Sequence, residues 1–304
     1  MKNNRNIIVL GSTGFIGSVI FKHLQEIFKK DNVAGFSSKN CNLFNLPIVK
    51  KKLLCLKKKD VLIIASSISR TSENSLDSMQ KNILMVENII KGLNQEFIGQ
   101  IIYLSSVDVY GVKKKDKDDL SLRRKTMDES SSLFIDDYYS MGKMVSEFLL
   151  KNQSLSGGFS LSVLRLPGVY GLGDKQKSLV GLFSKKFLDD GFVEIKGTGK
   201  ILRNYVYVED ISKVVEKCIK KKTKGIFNIV SKKSLSILAI AKILKKLLNP
   251  KAKINFKTKS ISSEKRDRDI LFNNKRLETV FGKTVVFSME SGIKEYSLNY
   301  KNEC

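Results

Sequence analysis

Apolar residues in the first half of the chain fall into short unbroken runs, separated by longer stretches with helical spacing. The run NIIVL at Asn6 to Leu10 reads as a buried strand. It passes directly into Gly11-Ser-Thr-Gly14-Phe-Ile-Gly17 and then into an amphipathic stretch that reaches Phe28. Further strands are predicted at Val33 to Phe36, Val61 to Ala65 (VLIIA), Gln100 to Leu104 (QIIYL) and Leu161 to Leu166, and a helix over Tyr139 to Leu150. Strands that are apolar on both faces need helices on both sides. The alternation therefore predicts an α/β protein built on a Rossmann-type doubly wound parallel sheet. It breaks at Lys113 to Asp128, where the charge density reads as an exposed loop, and it weakens beyond Gly168. There, Asn204 to Val208 and Ile226 to Val230 look like isolated strands among helices. The expected division is a Rossmann domain over residues 1–167, with strand and helix returning to it around 205–230, and a smaller C-terminal α/β substrate lobe over 168–304.

Composition changes this picture little. A length of 304 residues suits one such sheet plus a lobe, and 42% hydrophobic residues suffice for a sizeable core. Only 3 prolines argue against extended disorder. The formal charge of +25 is carried mainly by lysine, which usually coats solvated faces. A nucleic-acid surface would more often interleave arginine with aromatics, so nucleic acid is the less supported partner and a small phosphate-bearing molecule the better one. Cys41, Cys55, Cys218 and Cys304 lie far apart with no CxxC pair. That argues against a disulfide framework and a zinc site, and it fits a reducing cytoplasm. No apolar run approaches the ~18 residues of a membrane span, so the expectation is a soluble, unsecreted, cytoplasmic chain with no membrane partner.

The glycines of the first turn have a physical job. Gly11 permits the tight turn, Gly14 lets a pyrophosphate approach the backbone, and Gly17 lets the helix pack on the strand. The helix N-terminus then offers amide donors and partial positive charge to phosphates. Candidate dinucleotide contacts are Gly11, Thr13, Gly14, Phe15, Ile16 and Gly17 here, Ala65 at the end of the third strand, Tyr139 and Lys143, and Pro167 further on. After the second strand an NAD site would normally carry Asp or Glu for the ribose hydroxyls, whereas this chain reads Gly35-Phe36-Ser37-Ser38-Lys39. Ser37, Ser38 and Lys39 favour a 2′-phosphate and hence NADP, with NAD still possible because an ordinary polar turn has the same composition.

Tyr139-Ser-Met-Gly-Lys143 places a phenol and an ammonium four residues apart on one helix face. The cation is expected to lower the phenol's pKa and to hold the nicotinamide ribose, which would make Tyr139 a usable acid or base. The weight of this pair comes from its position after Ser105-Ser106-Val-Asp108-Val-Tyr110-Gly111, at the carboxyl end of a predicted strand, where open α/β sheets place ligands. Ser106 and Asp108 join Tyr139 and Lys143 as candidate catalytic residues. Tyr138 cannot form the same pair.

The segments GSTGFIG, YLSSVDVYG, YSMGK, RLPGVYGLGD and RNYVYVEDI, in this order, resemble the NAD-dependent epimerase/dehydratase family of extended short-chain dehydrogenases, from Ile7 to about Tyr296. The resemblance implies chemistry at C4 of a nucleotide-linked hexose. Ser106 would bind the sugar hydroxyl or ketone, Tyr139 would transfer the proton, and Lys143 would hold the ribose. It also implies that Arg203, with Arg268 or Arg266, grips the diphosphate of a nucleotide sugar, and that the protein is a homodimer. The family's 4,6-dehydratases carry an Asp-Glu pair after the catalytic hydroxyl. Here Val107 stands at the Asp position, leaving only Asp108, so full dehydration is disfavoured. The only histidine is His23, in the first helix, away from any such site. Gly168 stands where family members often have Asn, so that side-chain contact is missing or replaced. An epimerase and a 4-ketosugar reductase share this pattern and both remain open. The competing class is a non-catalytic Rossmann protein that senses a dinucleotide or binds RNA, against which the presence of Ser106, Tyr139 and Lys143 together speaks.

Overall fold

The structure, a computed structural model, describes residues 5–94, 99–111, 126–175, 178–258, 269, 271–282 and 288–303. In chain order the elements are β1 (Ile7–Leu10), α1 (Phe15–Ile27), β2 (Val33–Phe36), α2 (Leu46–Leu53), β3 (Val61–Ile64), α3 (Leu76–Gly92), β4 (Gln100–Ser106), β5 (Thr126–Met127), α4 (Tyr138–Gly157), β6 (Ser160–Leu166) and β7 (Gly168–Tyr170). They continue with α5 (Leu179–Asp189), β8 (Phe192–Lys196), β9 (Leu202–Arg203), β10 (Tyr205–Tyr207), α6 (Val208–Lys221), β11 (Gly225–Asn228), β12 (Leu235–Ser236), α7 (Ile237–Leu248), β13 (Lys253–Lys257), β14 (Leu271–Phe272), α8 (Lys275–Phe281) and α9 (Met289–Glu303).

Six strands form one sheet in the order β11-β6-β4-β3-β1-β2, and β1 pairs in parallel with both β2 and β3, as β3 does with β4. The chain begins in mid-sheet, steps outward to β2, then crosses back past β1 to β3. This reversal opens a crevice at the carboxyl ends of the strands. All four residues of β1 and of β3 are buried, which is why their runs read as continuously apolar. Leu10, Leu62, Ile64 and Ile101 pack with Val49 and Leu53 of α2 and with Val86 and Ile89 of α3 in one core. Truncating one of these leucines to alanine would cost about 2–5 kcal/mol, so the sheet is a rigid platform for whatever sits at its strand ends.

By compactness the chain resolves into two units. The first holds the described residues of 1–111, 133–165 and 211–227, the second those of 112–132, 166–210 and 228–304. In the second unit β7 pairs with β10, β8 with β13 and β5 with β14 in parallel, while β9 pairs with β12 antiparallel. Helices α5, α7 and α9 pack around them. Among the described residues no helix is long and apolar enough to cross a membrane.

Several boundaries differ from the sequence expectation. Helix α4 runs on to Gly157, past the expected end at Leu150: its last turns are mostly polar and, Ser154 apart, not buried, so they lack the apolar spacing that marks a buried face; Gly158, at φ 73°, ends it. The strand expected at Asn204 to Val208 is confined to β10, since Val208 already begins α6. The segment expected as an isolated strand at Ile226 to Val230 is β11, the edge strand of the main sheet. Of the charged stretch expected as loop, 113–125 lies outside the described residues, and Thr126–Met127 forms β5.

Candidate active site

The glycine turn after β1 is built by close approach. Gly11 sits at φ 87°, a left-handed conformation that side chains resist, and the amides of Gly11 and Ser12 both donate to the Phe36 carbonyl at 2.7 and 3.1 Å. A Cβ at Gly17 would lie 2.1 Å from the Gly11 carbonyl oxygen, so helix and turn meet there with no room for a side chain. Gly14 caps α1 without a side-chain hydrogen bond, which leaves the amides of the first turn directed outward. Thr13 is exposed in the turn, Phe15 and Ile16 open the helix, and the Ala65 amide at the end of β3 donates to the Leu10 carbonyl at 3.0 Å. This cradle, with outward amides and no blocking Cβ, fits the pyrophosphate of a dinucleotide.

Beside the cradle lies a cleft of about 300 Å³, lined among others by Gly11, Phe36, Ser37, Ser38, Ser66 and Lys81. No carboxylate is among the described residues that line it. Ser37 is held by its amide, which donates to Asn40 Oδ1 at 2.7 Å. Lys39 is exposed on the same turn and does not line the cleft, whereas Lys81 of α3, which sequence reading did not single out, does.

The candidate catalytic residues gather around the carboxyl end of β4. Ser106 is buried, its Oγ accepts from the Asp108 amide at 3.1 Å, and its hydroxyl is near enough to the Tyr139 phenol to oppose the rise in that group's pKa. Tyr139 and Lys143 come from the first turns of α4. There Asp137 forms the N-cap, accepting from the Ser140 amide at 2.7 Å, while the Tyr139 amide donates to Asn74 Oδ1 at 3.0 Å. Lys143 is buried and donates from Nζ to the Leu104 carbonyl at 2.8 Å, with the ammonium 5.8 Å from the centre of the Tyr139 ring. Tyr138 is exposed. The structure thus brings Ser106, Asp108, Tyr139 and Lys143 into one cluster.

Its electrostatics differ from the expectation that the lysine lowers the phenol. Burial, and next the charge of Asp108, hold the Tyr139 phenol well above its usual range, opposed by the Ser106 hydroxyl and by Arg70. Burial pushes Lys143 down to about 8, against the attraction of Glu147. The Asp108 carboxyl is raised, again by burial first, with Asp137 and Asp136 adding to the rise and Arg70 and Ser106 opposing it. Tyr139 therefore holds its proton at neutral pH.

Sequence reading missed Arg70. Its Nη1 lies 3.5 Å from Asp108 Oδ2 and 3.7 Å from Asp137 Oδ2, so one cation from the loop after β3 faces both carboxylates beside the phenol. Its only sequence signal was its place after a buried strand, in a Ser- and Thr-rich loop. Val107 is 7% exposed and belongs to the core rather than to the site.

The other predicted contacts belong to the second unit. Pro167 is half-buried between β6 and β7. Arg203 is half-buried in β9 and donates from Nη1 to the Leu202 carbonyl at 3.0 Å, while the Leu202 amide donates to Asp269 Oδ1 at 3.0 Å. Gly168 pairs with Tyr205, and a Cβ there would lie 2.3 Å from the Tyr205 ring, so the ring fills the space a longer side chain would need. Arg266 and Arg268 lie outside the described residues.

Residues 7–230 match the NAD dependent epimerase/dehydratase family. The chain belongs to this family. Among its curated relatives, a dTDP-D-glucose 4,6-dehydratase of Dictyostelium discoideum is 24% identical over 78% of this chain and 61% of the dehydratase's length. A UDP-N-acetylglucosamine 4-epimerase from Methanobrevibacter ruminantium, solved with UDP-N-acetylmuramic acid, superposes with a TM-score of 0.80 at 20% identity over 100% of both chains. RMD from Pseudomonas aeruginosa, solved with NADPH, gives 0.78 at 16% identity over 99% of this epimerase/dehydratase chain and 100% of its own. At such identity these two likenesses speak for the Rossmann fold and no further.

Proposed function

We propose that this protein is an NAD(P)-dependent oxidoreductase that acts at C4 of a nucleotide-activated sugar, as an epimerase or a 4-ketosugar reductase. The observation that carries this reading is the cluster of Ser106, Tyr139 and Lys143 at the carboxyl end of β4, in the same unit as the glycine cradle of β1 and α1. Support also comes from family membership and from relatives whose names include sugar-nucleotide dehydratase and epimerase.

Gly11, Gly14 and Gly17 would hold the dinucleotide pyrophosphate, and Lys143 the nicotinamide ribose. When bound, the nicotinamide supplies hydride donor and acceptor chemistry. Ser106 would hold the sugar oxygen at C4, and Tyr139 would give its proton to that oxygen as a C4 ketone takes up hydride. In the reverse direction the Tyr139 phenolate left by that transfer would take the hydroxyl proton as the hydride leaves C4. The phenol is protonated, the form that donates to a ketone. Ser37 and Ser38, in a cleft lined by no described carboxylate, favour NADP over NAD. Arg203, with Arg268, would hold the substrate diphosphate through charge-assisted pairs. A homodimer in the cytoplasm completes the proposal.

The deciding assay incubates the protein with UDP-, GDP- and dTDP-linked hexoses and 4-ketohexoses, following nicotinamide absorbance at ~340 nm and sugar products together. Product with loss of absorbance identifies the reductase, and product with steady absorbance the epimerase. Saturable NADPH binding with no sugar turnover on any of these would sink the enzymatic reading.

A further inference from the structure

The motifs above leave unexplained a buried charged group behind the catalytic cluster. Glu147 follows Lys143 by one helical turn on the same face of α4, and it is 6% exposed. Arg165 of β6 is 2% exposed and grips it with two bonds, Nε to Oε1 at 3.1 Å and Nη2 to Oε2 at 2.7 Å. Ser105 of β4 donates its hydroxyl to the same Oε1. The Arg165 guanidinium also stacks over the Tyr110 ring at 4.9 Å, in the turn that carries Asp108. A pair this deeply buried is an expensive way to gain stability, because an apolar pair of the same volume often does as well; its value lies in fixing one arrangement.

What it fixes is specific. Ser105 neighbours Ser106, and the Leu104 carbonyl before it receives Lys143. Glu147 thus ties α4 to β4 two turns behind the point where Tyr139 must meet Ser106. Arg165 extends the tie to the next strand and to the turn of Asp108. We propose that Glu147 and Arg165 are positioning residues, which lock the register of α4 against β4 so that Tyr139 and Lys143 are presented to sugar and cofactor. This rests on the reading of Tyr139 and Lys143 as the catalytic pair.

The arrangement has an electrostatic consequence as well. Lys143 faces Tyr139 and Glu147 on its own helix and the Tyr103 ring and Leu104 carbonyl on β4, and of these Glu147 holds its charge up against burial. Removing the negative charge of Glu147 should make Lys143 lose its proton at lower pH.

The test uses the full-length protein, with NADPH binding measured by fluorescence across pH and turnover measured on whichever sugar the wild type accepts. Glu147→Gln keeps the shape and removes the charge. It should move the alkaline fall-off of NADPH affinity down by about one pH unit and lower kcat about 10-fold, with KM for the sugar nearly unchanged. A double variant, Glu147→Met with Arg165→Met, should regain the melting temperature that Arg165→Met alone loses and still turn over about 10-fold slower than wild type. The proposal is overturned if activity and the pH profile return with the melting temperature. It is equally overturned if Glu147→Gln shows the wild-type profile, a result that needs no folded double variant. Failure of the wild type itself to bind either NADPH or NADH would instead remove the functional reading on which the proposal stands.

Discussion

The ammonium of Lys143 stands 5.8 Å from the centre of the Tyr139 ring, one helical turn away, and donates to the Leu104 carbonyl. Burial moves the two partners in opposite directions on the pH scale: it keeps the Tyr139 phenol neutral and brings Lys143 down to about 8.

Tyr139→Phe follows directly. The substitution removes one hydroxyl from a partly buried ring, so melting temperature and NADPH affinity should stay near wild type while kcat falls by about 10²-fold or more. Steady-state kinetics beside thermal melts check this. Near-normal turnover would move the proton to another group, with Asp108 the first to test.

The depressed lysine gives a pH signature of opposite signs for stability and binding. Between about 8 and its ordinary 10.5 the unfolded chain holds more protons at Lys143 than the folded one. This site therefore adds stability as pH rises through that window. Over the same window the charged donor proposed for the ribose is lost, so cofactor affinity should fall. Lys143→Met lacks both effects, and its melting temperature should approach that of the wild type as pH climbs. Parallel melting curves across that range would refute the assignment.

How much of this was legible in the sequence depended on how each feature announces itself. Strands β1, β3 and β4 are buried on both faces, so their apolar runs marked them within a residue or two. The glycine turn and the Tyr139 and Lys143 pair carry chemistry in their spacing. Arg70 and the Glu147 and Arg165 pair have no such spacing. They meet only because the sheet order sets β4 between β3 and β6, and pairing across 18 residues or more is a property of topology. The state of Tyr139 was misread for a related reason, since a spacing rule sees the neighbouring cation but not the burial that outweighs it.

Gly17→Ala tests the cradle by sterics alone. The added methyl would meet the Gly11 carbonyl oxygen at 2.1 Å, and backbone on both sides cannot swing aside as a flexible side chain could. A loss of roughly 1–3 kcal/mol in unfolding free energy is expected, with NADPH affinity falling at least about 10-fold as the turn opens. Denaturant titration and a binding isotherm check it. A variant of wild-type stability and affinity would show that the turn is looser than its geometry implies.

Lys39→Glu addresses cofactor choice. Lys39 is exposed at the end of the turn whose Ser37 and Ser38 line the cleft, so its charge acts from the rim. A carboxylate there repels a 2′-phosphate and accepts from a free ribose hydroxyl, so NADP should weaken more than NAD. If the preference does not move, Lys81, which does line the cleft, is the cation to change next.

Arg203→Ala separates the basic surface from the substrate site. The excess positive charge of the chain comes mainly from lysines, which steer anions at long range and lose that influence as salt is added. A diphosphate instead needs donors fixed in direction, and Arg203 is half-buried in β9, with Nη1 already directed to the Leu202 carbonyl. Losing one charge-assisted pair removes about 1.5–3 kcal/mol of binding, which corresponds to a rise of roughly 10-fold or more in KM for the nucleotide sugar. NADPH affinity should stay where it was, because the site proposed for it is built from β1, α1 and the turn after β2. The rise should also persist at high salt, where steering is screened. An unchanged KM, or a change that vanishes with added salt, would reduce Arg203 to one more member of the basic surface and place the diphosphate elsewhere.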